Sequence, residues 1–233
     1  MPNPLTLTID IGGSGIKTAV LDLKGKIISK FLRVKTPQPA TPQRILKAIK
    51  GLIISFPKYD RISVGFPGVV AGSTIVTAPT LANKSWQGFD LGAALQKEFG
   101  RPARILNDAD LHGLGVIKGK GLELVVTLGT GVGTACFWEG KLLPHLELAH
   151  HPVSKKGETY NEYLGDKALE KIGKKHWNKR LKRVLNILHV LMRYDTVYLG
   201  GGNARRVSLK KNKNIKIVSN QAAISGGKAL WPL

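Results

Sequence analysis

The sequence is poor in cysteine, in acidic residues and in long apolar runs, and each shortage excludes something. One cysteine, Cys136, among 233 residues leaves no disulfide framework and no Cys-rich zinc site. No apolar stretch approaches the roughly 18 residues that a membrane-spanning helix needs. Residues 1–8 lack the basic start and small-residue cleavage site of a secretory leader, so the expected compartment is the cytoplasm, with no membrane partner. Acidic side chains are outnumbered: 15 Asp+Glu stand against 36 Lys+Arg, a net charge of +21. An excess of this size points to a polyanionic partner (nucleic acid, an anionic surface or a phosphate polymer), or it serves solubility alone. Apolar residues make up 42%, which argues against disorder, and the length suits one large domain or two small lobes.

The charge is uneven. Residues 1–117 carry 15 basic and 7 acidic groups, whereas residues 118–233 carry 21 and 8. Two late clusters stand out: Lys171, Lys174, Lys175, Lys179, Arg180, Lys182 and Arg183, then Arg205, Arg206, Lys210, Lys211, Lys213 and Lys216.

Periodicity predicts an α/β chain. Strands are expected at 5–11, 16–21, 26–34, 61–65, 103–106, 122–128, 132–139, 195–199 and 215–218. Thr41 and Pro42 mark a helix start, so a helix is expected over 42–55. Further helices are expected over 90–99 and 222–229, with a long one over 167–193 that Gly173 interrupts.

Several motifs bear on chemistry. Asp10-Ile11-Gly12-Gly13-Ser14-Gly15-Ile16-Lys17 joins two strands through a glycine turn whose N–H groups can approach phosphate oxygens. Asp10 is placed to hold Mg²⁺. The turn lacks the GK[ST] ending of a Walker loop, and no helix follows at once as a dinucleotide fingerprint requires. A simple tight hairpin explains it equally well. Gly129-Thr130-Gly131 and Gly200-Gly201-Gly202 repeat the pattern at other strand ends. In Asn107-Asp108-Ala109-Asp110 a carboxylate just past a strand suits a general base, and Asn107 suits a polyol, although either residue could simply cap a helix. Glu147 and His150, three apart, can face one ligand, while the adjacent His150 and His151 diverge too far for a metal pair.

Taken in order, DIGGSGIK, GFPG, NKSW, LNDAD, LGTGVGT, ELAHHP and YLGGG resemble the ROK family of sugar kinases and repressors, and within it the polyphosphate glucokinase branch. The resemblance implies the actin-like, hexokinase-type ATPase fold, with two lobes and a cleft between them. Residues 1–117 would form a small, sugar-side lobe, to which a C-terminal helix 222–233 returns, and residues 118–221 a large, phosphate-donor lobe. It implies Asp108 as the catalytic base on the sugar 6-hydroxyl. Gly68, Thr80, Asn83, Asn107, Glu147, His150 and Asn161 or Glu162 would surround the sugar. Asp10, Gly12, Gly13, Ser14, Gly15, Lys17, Gly129, Thr130, Gly131, Gly200, Gly201 and Gly202 would line the donor channel. Mg²⁺ is implied with the donor and no zinc is.

The sequence departs from the family pattern in two places. Ala149 stands where the family has Gly, and Asn161 where it has a sugar-binding Glu. The chain opens on the first sheet strand, without the helix-turn-helix of the ROK repressors. The basic clusters suggest a track for polyphosphate along Lys171, Lys174, Lys175, Lys179, Arg205 and Arg206. The expected activity is phosphoryl transfer from polyphosphate, or from ATP as well, to glucose, feeding glycolysis, by a cytoplasmic homodimer with no specific nucleic-acid partner. An ATP-dependent hexose or aminosugar kinase is the alternative, and a non-catalytic polyanion binder is a third reading.

Overall fold

The computed structural model describes residues 4–81, 83–209, 212–219 and 221–231. Lys210 and Lys211 of the second basic cluster, and the last two residues of the expected C-terminal helix, lie outside the described residues. The chain divides into two compact units, Met1–Gly115 with Gln221–Leu233, and Val116–Asn220.

The first unit is built on strands β1 (Thr6–Ile11), β2 (Ile16–Leu21), β3 (Leu32–Val34) and β4 (Arg61–Phe66), with helix α1 (Pro42–Ile53) before β4. A small hairpin, β5 (Val70–Ala71) and β6 (Thr74–Ile75), leads to α2 (Leu91–Phe99), β7 (Ala103–Asn107) and α3 (Asp108–Leu114). The sheet order is β3-β2-β1-β4-β7. β1, β2 and β3 form an antiparallel meander, whereas β4 and β7 run parallel to β1. Register sets Asp10 beside Gly65, and Phe66 beside Asn107. The carboxyl ends of β1, β4 and β7 therefore deliver Asp10, the turn before Gly68, and Asp108 to one edge, where open α/β sheets bind ligands.

Local chemistry explains the elements. Thr41 accepts from the Arg44 N–H at 3.4 Å, and Pro42 opens α1. Ile45, Ile49 and Ile53 recur one turn apart and are buried on the sheet, each worth about 1.5–3 kcal/mol. The helix stops at Ile53 rather than residue 55, where the Phe56 N–H closes a tighter turn onto the Ile53 carbonyl at 2.9 Å. The third strand is only Leu32–Val34, not 26–34. The Ser29 hydroxyl accepts the Val20 N–H at 2.8 Å, so a side chain replaces a ladder partner.

The C-terminal segment belongs to the first unit. Its α-helix covers only Ala222–Gly226 before a 3-10 turn, Gly227–Leu230. A Cβ on Gly226 would strike the Leu111 carbonyl, and one on Gly115 the Ala222 carbonyl, so the two backbones touch as only glycine permits. Trp231 donates to Ser63 Oγ at 2.9 Å, and the Arg104 guanidinium stacks 4.3 Å over its ring. This packing braces α3, and with it Asp108.

The second unit repeats the plan. β8 (Leu122–Leu128), β9 (Val132–Trp138) and β10 (Lys141–Leu142) form the meander. Helices α4 (Tyr160–Leu164) and α5 (Asp166–Met192) follow, then β11 (Thr196–Gly200) and β12 (Ile215–Ile217). The order is β10-β9-β8-β11-β12, with β11 parallel to β8 and β12 parallel to β11. Gly200 pairs with Thr127, which brings Gly129–Gly131 and Gly200–Gly202 to the same sheet edge. Gly173 kinks α5 at φ 73°. Beyond it Trp177, Leu181, Val184, Leu185 and Leu188 bury one face. Among the described residues no helix is long and apolar enough to cross a membrane.

Candidate active site

The geometry of the first unit centres on Asp108. Asn107 at the end of β7 caps α3: its Oδ1 accepts from Ala109 N at 2.8 Å and Asp110 N at 3.4 Å. Its Nδ2 donates to the Gly68 carbonyl at 3.1 Å. Asn107 therefore takes the capping role, and Asp108 opens the helix half-buried, with Oδ1 on the Ala109 N–H. Burial, then the nearby charge of Asp10, pushes the Asp108 carboxyl from 3.8 up to about 7. A carboxylate so tuned takes and returns protons near neutral pH.

Asp10 is 6% exposed, and its Oδ2 accepts from Lys17 Nζ at 2.6 Å across the glycine turn. Gly12 N bonds to the Gly15 carbonyl at 3.0 Å, which makes the turn a tight hairpin, and Ser14 is exposed at its tip. Thr80, expected at the sugar, lies against Gly13 of the Gly12–Gly15 turn. Asn83 caps the 3-10 turn Lys84–Trp86, its Oδ1 accepting from Ser85 N at 2.9 Å, while Trp86 anchors that segment in the core.

In the second unit, Gly129 N bonds to the Gly131 carbonyl at 3.0 Å. Asn161 on α4 accepts the Val132 N–H on Oδ1 at 2.7 Å, so its oxygen braces the Gly129–Gly131 turn. Glu162 closes a capping box with Thr159, accepting the Thr159 N–H at 2.8 Å. Both residues expected at the sugar thus carry local duties. Asn203, past the Gly200–Gly202 turn, donates to Asp166 Oδ1 at 2.6 Å and to the Gly129 carbonyl at 3.4 Å, linking the two glycine turns. Glu147 sits between His145 Nε2 at 3.1 Å and His150 Nε2 at 3.2 Å. The His145 hydrogen bond, against burial, holds the Glu147 carboxyl below its usual range. It presents a charged acceptor flanked by imidazoles, suited to hydroxyl groups.

A model of the ROK family matches residues 6–158. This chain belongs to the ROK family. It is 34% identical over 226 residues to the polyphosphate glucokinase of Mycobacterium tuberculosis (strain CDC 1551 / Oshkosh), covering 93% of this chain and 83% of that protein. Its structure is similar to the inorganic polyphosphate/ATP-glucomannokinase of Arthrobacter sp. strain KM, with TM-score 0.86, 32% identity and 98% of each chain covered. It also shares the fold of a ROK family glucokinase from Streptomyces griseus solved with glucose and AMPPNP, with TM-score 0.80, 18% identity, and 97% of this chain and 98% of that one covered. The fold of this ROK protein is the α/β actin-like, hexokinase-type fold.

Sequence reasoning missed three residues of this ROK chain. His145 has no motif around it. Asn203 is a plain residue after three glycines. His112 lies one turn beyond Asp108 on α3, a spacing visible in the sequence. It is 4% exposed, and burial pushes its imidazole down to about 4, so it is neutral at physiological pH. Its Nε2 has no hydrogen-bond partner among the described residues. Of the expected basic track, Lys171, Lys174, Lys175 and Lys179 are exposed on α5, and Arg205 and Arg206 on the 3-10 turn Gly202–Arg206. Lys175 and Lys179, four apart beyond the Gly173 kink, share one stripe of α5, while Lys174 points to another side. Asn178 fastens the 205–208 segment by donating to the Arg206 carbonyl at 3.1 Å and accepting the Ser208 N–H at 2.6 Å. Asn178, and with it the Arg206 carbonyl, lies roughly 100° around α5 from Lys179 and roughly 140° from Arg183.

Proposed function

We propose that this protein transfers the terminal phosphoryl group of inorganic polyphosphate, with ATP as a second donor, to the 6-hydroxyl of glucose. The observation that carries the reading is Asp108, a half-buried carboxylate at the head of α3 whose proton affinity is raised to about 7 beside Asp10. Asp108 takes the hydroxyl proton as the sugar oxygen bonds to phosphorus. The anhydride bond behind that phosphorus breaks, and the donor leaves one phosphate shorter. The names of the similar Mycobacterium and Arthrobacter enzymes support both the sugar and the donor.

Roles follow from chemistry within each unit. The Gly12–Gly15 and Gly129–Gly131 turns offer backbone N–H groups to phosphate oxygens, and Lys17 offers a cation. Glu147 accepts from sugar hydroxyls, and His150 adds a donor or acceptor. Mg²⁺ fits Asp10: Lys17 occupies Oδ2, which leaves the other oxygen of a hard carboxylate ligand. Mg²⁺ binds through one or two carboxylates plus the phosphates it accompanies, and bound there it would neutralise charge building on the transferred group.

The test is glucose 6-phosphate formation with polyphosphate or ATP as sole donor, at low salt. Product with polyphosphate is expected. Product with ATP alone would overturn the donor assignment, and product with neither would overturn the activity.

A further inference from the structure

An open groove of about 550 Å³ lies on the second unit, lined by Tyr163, Ile172, His176, Lys179, Arg180 and Arg183. Beyond the Gly173 kink, positions 176, 179, 180 and 183 fall within roughly 100° of the helix circumference, so one face of α5 carries all four basic side chains. Arg180 is fixed: its guanidinium stacks 4.1 Å over the Tyr163 ring, donates to the Tyr163 carbonyl at 3.2 Å and approaches Glu158 at 3.8 Å. Glu158 takes part of that charge. Lys179 and Arg183 are exposed, and among the described residues neither has an ion-pair partner. A short connection joins the groove to the donor turn. Trp177 and Arg180 hold the Leu164 and Tyr163 carbonyls at the end of α4, and Asn161 on the same short helix grips Val132 beside Gly131. The five residues of α4 span about 7.5 Å, roughly the length of a few phosphate units.

We infer that this groove is an anchor for the distal part of a polyphosphate chain, binding phosphates beyond those handled at the glycine turns. This rests on the donor reading above and adds chain-length discrimination to it. A single phosphate would occupy one of the free cations, whereas a linear polyanion spans Lys179 and Arg183 together along the face that His176 also lines. Single-stranded nucleic acid fits less well, because the Tyr163 ring already has Arg180 stacked on it, which leaves only the small His176 imidazole as a platform for a base. The groove replaces the dispersed track expected from the sequence: of those six residues only Lys179 lines it.

The test compares the wild type with a Lys179→Ala/Arg183→Ala double variant. A Lys120→Ala/Lys141→Ala variant removes equal charge at the opposite end of β8 and β9 from the Gly129–Gly131 turn. All four side chains are exposed, and unchanged melting temperatures check folding. Binding of long-chain sodium polyphosphate and of tripolyphosphate is measured by calorimetry without glucose, across a salt series. The groove variant is expected to bind the long chain about tenfold more weakly at low salt, with its salt slope reduced by roughly 1.4–1.8. Tripolyphosphate affinity and the control variant should match the wild type. Unchanged long-chain affinity would overturn the proposal, as would an equal loss for tripolyphosphate or for the control variant. Equally tight, competing binding of single-stranded RNA would overturn the ligand class. Turnover separates the two readings: groove-dependent binding without glucose 6-phosphate from polyphosphate removes the donor reading and leaves the anchor. Turnover with groove-independent binding does the reverse.

Discussion

Replacing Asp108 by Asn should lower activity and raise stability, with both effects from one cause. The carboxyl is displaced upward from 3.8 to about 7, chiefly by burial and next by the Asp10 charge. Because the folded protein holds this proton more tightly than the unfolded chain does, Asp108 favours folding most at low pH. That contribution falls as pH rises from about 4 and is gone once pH passes about 7. A displacement of about three pH units at 1.36 kcal/mol each sets a ceiling near 4 kcal/mol. The side chain keeps some contact with solvent, and screening brings the expected effect to about 1–2 kcal/mol. Asn has the same shape and no charge, so Asp108→Asn should unfold at higher denaturant than wild type at pH 8.5, with a smaller gap at pH 5. In a coupled glucose 6-phosphate assay it should lose about 10²- to 10⁴-fold in kcat, the usual contribution of a positioned base. Wild-type kcat/KM should rise with pH through an apparent pKa near 7. A variant no more stable than wild type at pH 8.5 would refute the electrostatic argument. One that kept most of its turnover would refute the base assignment.

Three further outcomes follow from named contacts. Asp10→Asn removes a charge that raises the Asp108 proton affinity, so the residual activity should show its acidic limb at lower pH, read from the kcat/KM profile. Asn161→Ala strips the 2.7 Å bond from Val132 N, at about 1–3 kcal/mol for the orphaned group, and should raise the donor KM while leaving the glucose KM near wild type. A rise in glucose KM alone would return Asn161 to the sugar. Gly226→Ala forces a methyl into the Leu111 carbonyl and should cost about 2–3 kcal/mol, or roughly 5–10 °C in Tm by calorimetry.

The strands and glycine turns were legible because each rests on local signals. Alternating apolar residues mark β1, β2 and β8, and Thr41-Pro42 marks the start of α1. Asp108 was legible as a candidate because a carboxylate stands just past β7. Its competitor for the cap could not be resolved from residue types, since Asn and Asp both cap helices. The 3.1 Å bond from Asn107 to Gly68, 39 residues away, fixes which residue turns inward. Ser29 shortened a predicted strand through a hydroxyl-to-backbone bond that no periodicity registers. Asn161 illustrates the same limit. Its position relative to a motif suggested a sugar ligand, yet its oxygen meets a backbone amide that only the folded hairpin of β8 and β9 brings within reach.

The net charge of +21 is likewise refined by geometry rather than by count. Counting merged Lys171 through Arg183 into one cluster, but a helix disperses consecutive residues around its axis, and Gly173 breaks the phase within this one. What survives as a site is the subset on one face: His176, Lys179, Arg180 and Arg183 beside Tyr163. Arg206 is not among the residues that line the groove, and Asn178 holds its carbonyl. A polyanion responds to cations that it can touch together, so the groove and not the total sets how steeply binding falls with salt. Charges on the far side of α5 from the groove, such as Lys174, act at a distance that physiological salt screens. They raise the rate at which an anionic chain arrives more than the time for which it stays.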